Sequence, residues 1–226
     1  MVRNIHKIDI NTPDPGYEPF PVSIMNRSTH EVMTFDPSHG KSATISYSLN
    51  KPGCIRIRLV NREQPDLLIR TLQDWTNQEF GKHELKWDGR DASGNIVDNK
   101  RIFVLFESKD QGKGRQHHDH PQELCRDPLL MIKTLPNLCE SVKGMLEIQA
   151  SVVGEARNSQ NEAEYEARYY IDYKLFKVEK FEKGMNNFIF KIDTNGLQNG
   201  EHLITVNVDD LHDHIGSAGL RVSVED

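Results

Sequence analysis

The run CIRIRLV, Cys54 to Val60, sets Ile55, Ile57 and Leu59 on one side and Arg56 and Arg58 on the other. A side-chain period of two marks a strand with one buried face. The same pattern fills the chain. SATISYSL (Ser42 to Leu49) precedes this run across the turn LNKPG, a hairpin spacing, and DLLIRTL, HELKWDG and RIFVLFES (Arg101 to Ser108) follow. After LLMI the pattern resumes in MLEIQASVVG, YEARYYIDYKLF with a bend near Asp172, NNFIFKID, HLITVNVDD and LRVSVED. No helical stripe of useful length occurs in the first half. No βαβ alternation occurs either, so doubly wound and TIM-barrel architectures lose their support. Short strands separated by turn signals roughly every 8 to 12 residues predict an all-β chain. Its expected form is two tandem immunoglobulin-like or fibronectin-like β-sandwiches.

The 226 residues suffice for two domains of about 100 residues each. Pro13, Pro15, Pro19 and Pro21 around Gly16 predict an extended N-terminal arm over 1–21. The first sandwich is expected over 22–110 and the second over 128–226. Between them KDQGKGRQHHDHP, Lys109 to Pro121, carries no apolar residue, which makes 111–127 a histidine-rich linker or loop.

Charge and cysteine use narrow the function. The net charge is −6, and the short basic stretches IRIR and KGKGR have acids nearby, so no nucleic-acid footprint exists. No apolar run approaches the length of a membrane-spanning helix, and no signal peptide is visible. Three cysteines are too few for a disulfide scaffold or a thiolate metal knuckle. Cys125 and Cys139 are either bridged, closing a loop worth roughly 3 kcal/mol, or two separate thiols. Cys54 is left over in both cases. No CxxCH is present to attach haem.

The most informative stretch is GKHELKWDGRDASGNIVDNKRIFVLFES. Trp87 is the expected core anchor beside Leu85. Asp88 and Asp91 are expected to hydrogen-bond their own turns, with Gly89 and Gly94 supplying positive φ. The stretch resembles the immunoglobulin-like module of the flagellar hook-capping protein family, related forms of which occur in many secreted bacterial proteins. Gly81, His83, Trp87, Asp88, Gly89, Asp91, Gly94 and Val97 match that pattern in order. SYSLNKPGCIRIRLVN matches its opening hairpin, and DNKRIF departs where glycine-tyrosine is usual. The resemblance covers about residues 35 to 108. The second half is more loosely similar to bacterial immunoglobulin-like domains, with Tyr173 in place of a hairpin glycine. These resemblances imply an extracytoplasmic place (periplasm, cell surface or secreted) and a scaffolding or adhesive role. The fold itself implies no chemistry.

Two HDH tripeptides, His118 to His120 and His212 to His214, supply the candidate metal ligands, with His117 adjoining the first. On a strand, residues two apart face the same way, so each pair can converge on one ion. Imidazole suits zinc, copper or iron, and Asp119 or Asp213 can orient a ring. A histidine loop can also offer a ligand to the haem iron of a partner chain such as a multihaem cytochrome. The alternative is a solvated polar loop. His83 and His202, in matching positions before strands, are expected to be structural. No GxSxG elbow, P-loop or HExxH is present, so no enzyme is expected. Two functions stay open: a non-catalytic interaction protein of an envelope or extracellular assembly, or a metal- or haem-associated accessory.

Overall fold

The computed structural model describes residues 37–97, 102–109, 130–135, 141–152 and 164–225 except 183, 186, 212 and 213, together with a short strand at Val22–Ser23. Among the described residues the regular structure is thirteen strands and two short 3-10 turns, Pro37–His39 and Thr194–Gly196. The strands are β1 (Val22–Ser23), β2 (Ala43–Leu49), β3 (Gly53–Asn61), β4 (Leu68–Gln78), β5 (Gly81–Trp87), β6 (Ile102–Lys109) and β7 (Leu130–Leu135). The others are β8 (Met145–Val152), β9 (Tyr165–Ile171), β10 (Lys174–Phe181), β11 (Asn187–Asp193), β12 (Gly200–Asp209) and β13 (Ile215–Val224). Among the described residues no helix is long and apolar enough to cross a membrane.

Among the described residues every pairing between named strands is antiparallel, with one isolated parallel bridge between Val142 and Val224, and the strands fall into two sets that follow one plan. In the first set the sheets run β1-β2-β5 and β4-β3-β6; in the second they run β7-β8-β11 and β10-β9-β12-β13. In both, the first, second and fifth strands form one layer and the fourth, third and sixth the other. This is the order of an immunoglobulin-like or fibronectin-like sandwich. The expected all-β fold class is what the structure has.

Alternation builds both cores. In the second sandwich Leu146, Ile148 and Ala150 of β8 and Phe188, Phe190 and Ile192 of β11 face Ala167 and Tyr169 of β9 and Ile204, Val206 and Val208 of β12. Tyr169 lies 4.1 Å, ring centre to ring centre, from Phe190, an aromatic contact worth about 0.5–1.5 kcal/mol beyond its buried area. Burial pushes the Tyr169 hydroxyl far above its ordinary range, with the nearby Glu179 carboxylate adding to the effect.

In the first sandwich, Ile55, Ile57 and Leu59 point inward as the alternation predicts, and Arg56 and Arg58 point outward. Outward here does not mean into water. Arg56 is fully buried. It donates from Nε and Nη2 to Glu107 at 2.8 and 2.7 Å and stacks 4.5 Å from the Trp75 ring centre. Arg58 grips the same carboxylate at 2.7 and 2.6 Å. Burial alone would raise the Glu107 carboxyl, but the two guanidiniums hold it below its ordinary value. Trp75 stands in a β4 that runs six residues past the DLLIRTL segment, and its register against β3 slips at three bulges.

Candidate functional site

The WDG segment forms its turns as the sequence implies. Trp87 is buried in the first core, and its Nε1 donates to the Arg90 carbonyl at 2.9 Å. Asp88 Oδ1 accepts from the Arg90 N–H at 3.1 Å. Asp91 Oδ1 accepts from the N–H groups of Ser93 and Asn95 at 2.9 and 2.8 Å, while Oδ2 takes the Asn95 amide at 2.9 Å. Gly89 and Gly94 sit at φ 78° and 88°, where a side chain would strain the backbone.

Beyond its own closure, this turn grips the second sandwich. Ser93 Oγ accepts from the Gly219 N–H of β13 at 2.7 Å, and Asn95 Nδ2 donates to the Gly219 carbonyl at 3.2 Å. Arg221 Nη2 donates to the Ile96 carbonyl at 2.7 Å. The approach is so close that a Cβ on Gly219 would lie 2.5 Å from Asp91 Oδ2. A side chain there would displace the Asp91 carboxylate and crowd the Asn95 amide.

A second grip lies one strand over. β4 is the outer strand of its sheet, so one side of its backbone needs a partner. At Leu68 the partner is a side chain. Asn207 of β12 accepts from the Leu68 N–H at 2.8 Å and donates to the Leu68 carbonyl at 3.0 Å, and Ser217 Oγ donates to the same carbonyl at 2.9 Å. The carboxamide thus does what a neighbouring strand would do. Asn207 is only 1% exposed, so these bonds replace lost water contacts.

Apolar contact fills the remainder. Val60, Leu68 and Leu105 close on Ile215, and Tyr170 and Tyr173 join the cluster that holds Trp87. Tyr170 donates to the Asp66 carbonyl at 3.2 Å, and burial pushes its hydroxyl up to about 12. Asn207 and Ser217 are cross-strand neighbours, as are Thr205 and Gly219. The outer face of the second sandwich's larger sheet is therefore the docking surface for the 88–97 turn and the β4 edge of the first.

Beside this seam, Asp172 and Tyr173 form the β9–β10 turn with φ 48° and 68°. Tyr173 takes the left-handed position where the resemblance had glycine. Asp172 Oδ1 accepts from the Leu203 N–H at 3.0 Å, and Oδ2 lies 2.6 Å from His202 Nδ1. His202 Nε2 lies 2.7 Å from the Gln198 carbonyl. Both ring nitrogens face acceptors, so the doubly protonated imidazolium satisfies the site. The Gln198 carbonyl raises the His202 pKa; partial burial opposes this, and Asp172 adds to the rise.

The candidate metal ligands fare differently. His117, His118, His120 and His212 lie outside the described residues, as do Cys125 and Cys139. His214 is the candidate ligand that falls among the described residues. It falls between β12, which ends at Asp209, and β13, which starts at Ile215. His214 closes a turn: its N–H donates to Asp210 Oδ1 at 3.1 Å, and Nδ1 lies 2.6 Å from Asp210 Oδ2. Among the described residues no group of three metal-ligating side chains converges. His83 stacks on Tyr47, with Nε2 2.8 Å from the Glu79 carbonyl. Sequence reading overlooked Asn207 and Gly219. Their signals were a lone amide inside the apolar run ITVNV and a glycine inside a strand pattern.

The fold and seam define a chain of two docked immunoglobulin-like sandwiches. No protein family and no curated protein sequence matches it. Solved structures resemble it weakly. An endo-β-1,4-mannanase from Thermotoga petrophila aligns at 16% identity over 46% of this chain and 21% of its own, with a TM-score of 0.33. The CARDB domain of the PF1109 protein from Pyrococcus furiosus, solved with di-metal ions, aligns at 19% identity over 44% of this chain and 88% of its own, with a TM-score of 0.33. A β-glucuronidase from Ruminococcus gnavus aligns at 10% identity over 85% of this chain and 37% of its own, with a TM-score of 0.26.

Proposed function

We propose that this chain is a non-catalytic structural and interaction protein that works outside the cytoplasm. Its two modules act as one stiff unit that displays or joins surfaces in an envelope or extracellular assembly. One observation carries the reading: Asn207 bonds both backbone groups of Leu68 across the module boundary. Modules that only needed tethering would not commit a buried amide to this job. The resemblance of residues 35 to 108 to the hook-capping module supports the compartment. Its partner is a protein, with the arm 1–21 and the loop 111–127 as contact candidates, and no nucleic acid is involved.

Fractionation of source cells carrying a tagged chain, followed by cross-linking, tests this. The chain is expected in the periplasmic, surface or secreted fraction, joined to an envelope or extracellular protein. Recovery from the cytosol alone would overturn the compartment. A cross-link pattern unchanged in Asn207→Ala would overturn the stiff-unit role.

A further inference from the structure

The two outer strands next to the seam meet different fates. The edge of β4 is covered at Leu68 by Asn207. β10 is the outer strand of the second sandwich's larger sheet, and no described strand lies on its far side. It presents Leu175, Phe176 and Val178 at 45, 50 and 44% exposure, far above the buried strands behind it. An open edge with apolar side chains is a template for another strand.

We infer that β10 pairs antiparallel with β10 of a second copy of this chain, about a twofold axis at Val178. A twofold between identical antiparallel strands sets one residue opposite itself. Centring on Lys177, Glu179 or Lys180 would put like charges face to face. Centring on Val178 packs valine against valine and sets Lys177 opposite Glu179 on both sides of the axis. Lys177 and Glu179 already share a face, because they form an ion pair within the chain.

Backbone direction agrees. In a two-residue hairpin the flanking pair, here Ile171 and Lys174, exchanges hydrogen bonds and the next pair does not. The register passes through a bulge between Leu175 and Lys177 and brings Val178 opposite Arg168. Carried through that bulge, the alternation turns the N–H and C=O of Val178 to the open side. Lysines and bulges on an edge ordinarily discourage pairing. Here the bulge limits the new ladder to the stretch after it, and Lys177 gains a second carboxylate. Two four-stranded sheets then become one of eight. The pairing holds whatever compartment the chain works in.

Sedimentation equilibrium of the full chain over a range of concentrations tests the inference. The 26.0 kDa chain is expected to move toward twice that mass as concentration rises. Lys177→Glu and Glu179→Lys, each placing like charges across the axis, should each weaken the dimer on the order of tenfold. The double variant Lys177→Glu/Glu179→Lys should restore it, with far-UV circular dichroism confirming the fold of all three. A single species at monomer mass throughout would overturn the inference. So would a dimer indifferent to both single variants, or a folded double variant that stays dissociated.

Discussion

The two sandwiches share a strand order but cover the outer faces of their inner sheets by different means. In the first, Arg56, Arg58, Glu107 and Trp75 build a charged layer of their own over β3. In the second, Glu166, Arg168 and Asp209 form ion pairs at one end of the face, while the patch of Thr205, Asn207, Ser217 and Gly219 is covered by the other module. A face sealed by its own ion pairs is self-sufficient. A face lined with an amide, a hydroxyl and a glycine is complete only when something docks on it. The first module thus brings a turn and a strand edge to the junction, and the second brings a prepared surface.

The largest expected effect tests whether the cores are as separate as the layers suggest. Trp87→Ala should cost about 3–5 kcal/mol and lower the urea midpoint of the first sandwich. Because Tyr170 shares the Trp87 cluster, the junction should loosen in the same transition. Phe190→Ala should cost a similar amount but act on the second core. A Trp87→Ala midpoint close to wild type would mean that the tryptophan is not an anchor.

Asn207→Ala removes the partner of the Leu68 N–H, while the Leu68 carbonyl keeps Ser217 Oγ, and should cost about 1–3 kcal/mol for the buried N–H left unsatisfied. Hydrogen exchange at Leu68 should quicken while β8 and β11 keep their protection. Protection lost evenly through the second sandwich would show that Asn207 serves its own module instead. Gly219→Ala should have a smaller effect, about 1 kcal/mol, since the Asp91 and Asn95 side chains must retreat from the new methyl group. Small-angle scattering should report a longer, looser molecule with both sandwiches intact, and an unchanged profile would count against the close approach.

The smallest effects are in pH, and they have opposite signs. Glu107 is held below its ordinary 4.5 in the folded chain, so its contribution is complete above that value and lost as pH falls through the folded pKa. His202 is raised above 6.5, so its contribution is complete below that value and lost as pH rises through the folded pKa. Thermal melts of Glu107→Gln and His202→Gln should therefore differ from wild type in how they depend on pH. The first should lose acid sensitivity below about 4.5 and the second should lose sensitivity above about 6.5. Identical pH profiles for the two would erase the distinction.

Much of the fold was legible from residue spacing. SATISYSL and NNFIFKID became β2 and β11 with their alternate residues buried, and CIRIRLV became β3 with Ile55, Ile57 and Leu59 inward as expected but its other face covered as well. The turn chemistry of Asp88, Asp91, Gly89 and Gly94 was equally readable, because an Asx turn needs only its own next few residues. The turn that pairs His214 with Asp210 was not legible, because an imidazole among several nearby carboxylates has more than one local partner open to it.

What the sequence determined by itself is what short-range physics can settle: strand period, turn type and the inward set of each strand. The seam was decided elsewhere. Asn207 and Leu68 stand 139 positions apart, and Ser93 and Gly219 stand 126 apart. A solitary asparagine in a strand has many uses, and a solitary glycine is compatible with a bulge, a weak point or a close contact. Each local signal was therefore degenerate. Only the docked structure chose among them, because a buried amide must find complementary backbone groups and a missing Cβ gains meaning when another chain segment occupies its place.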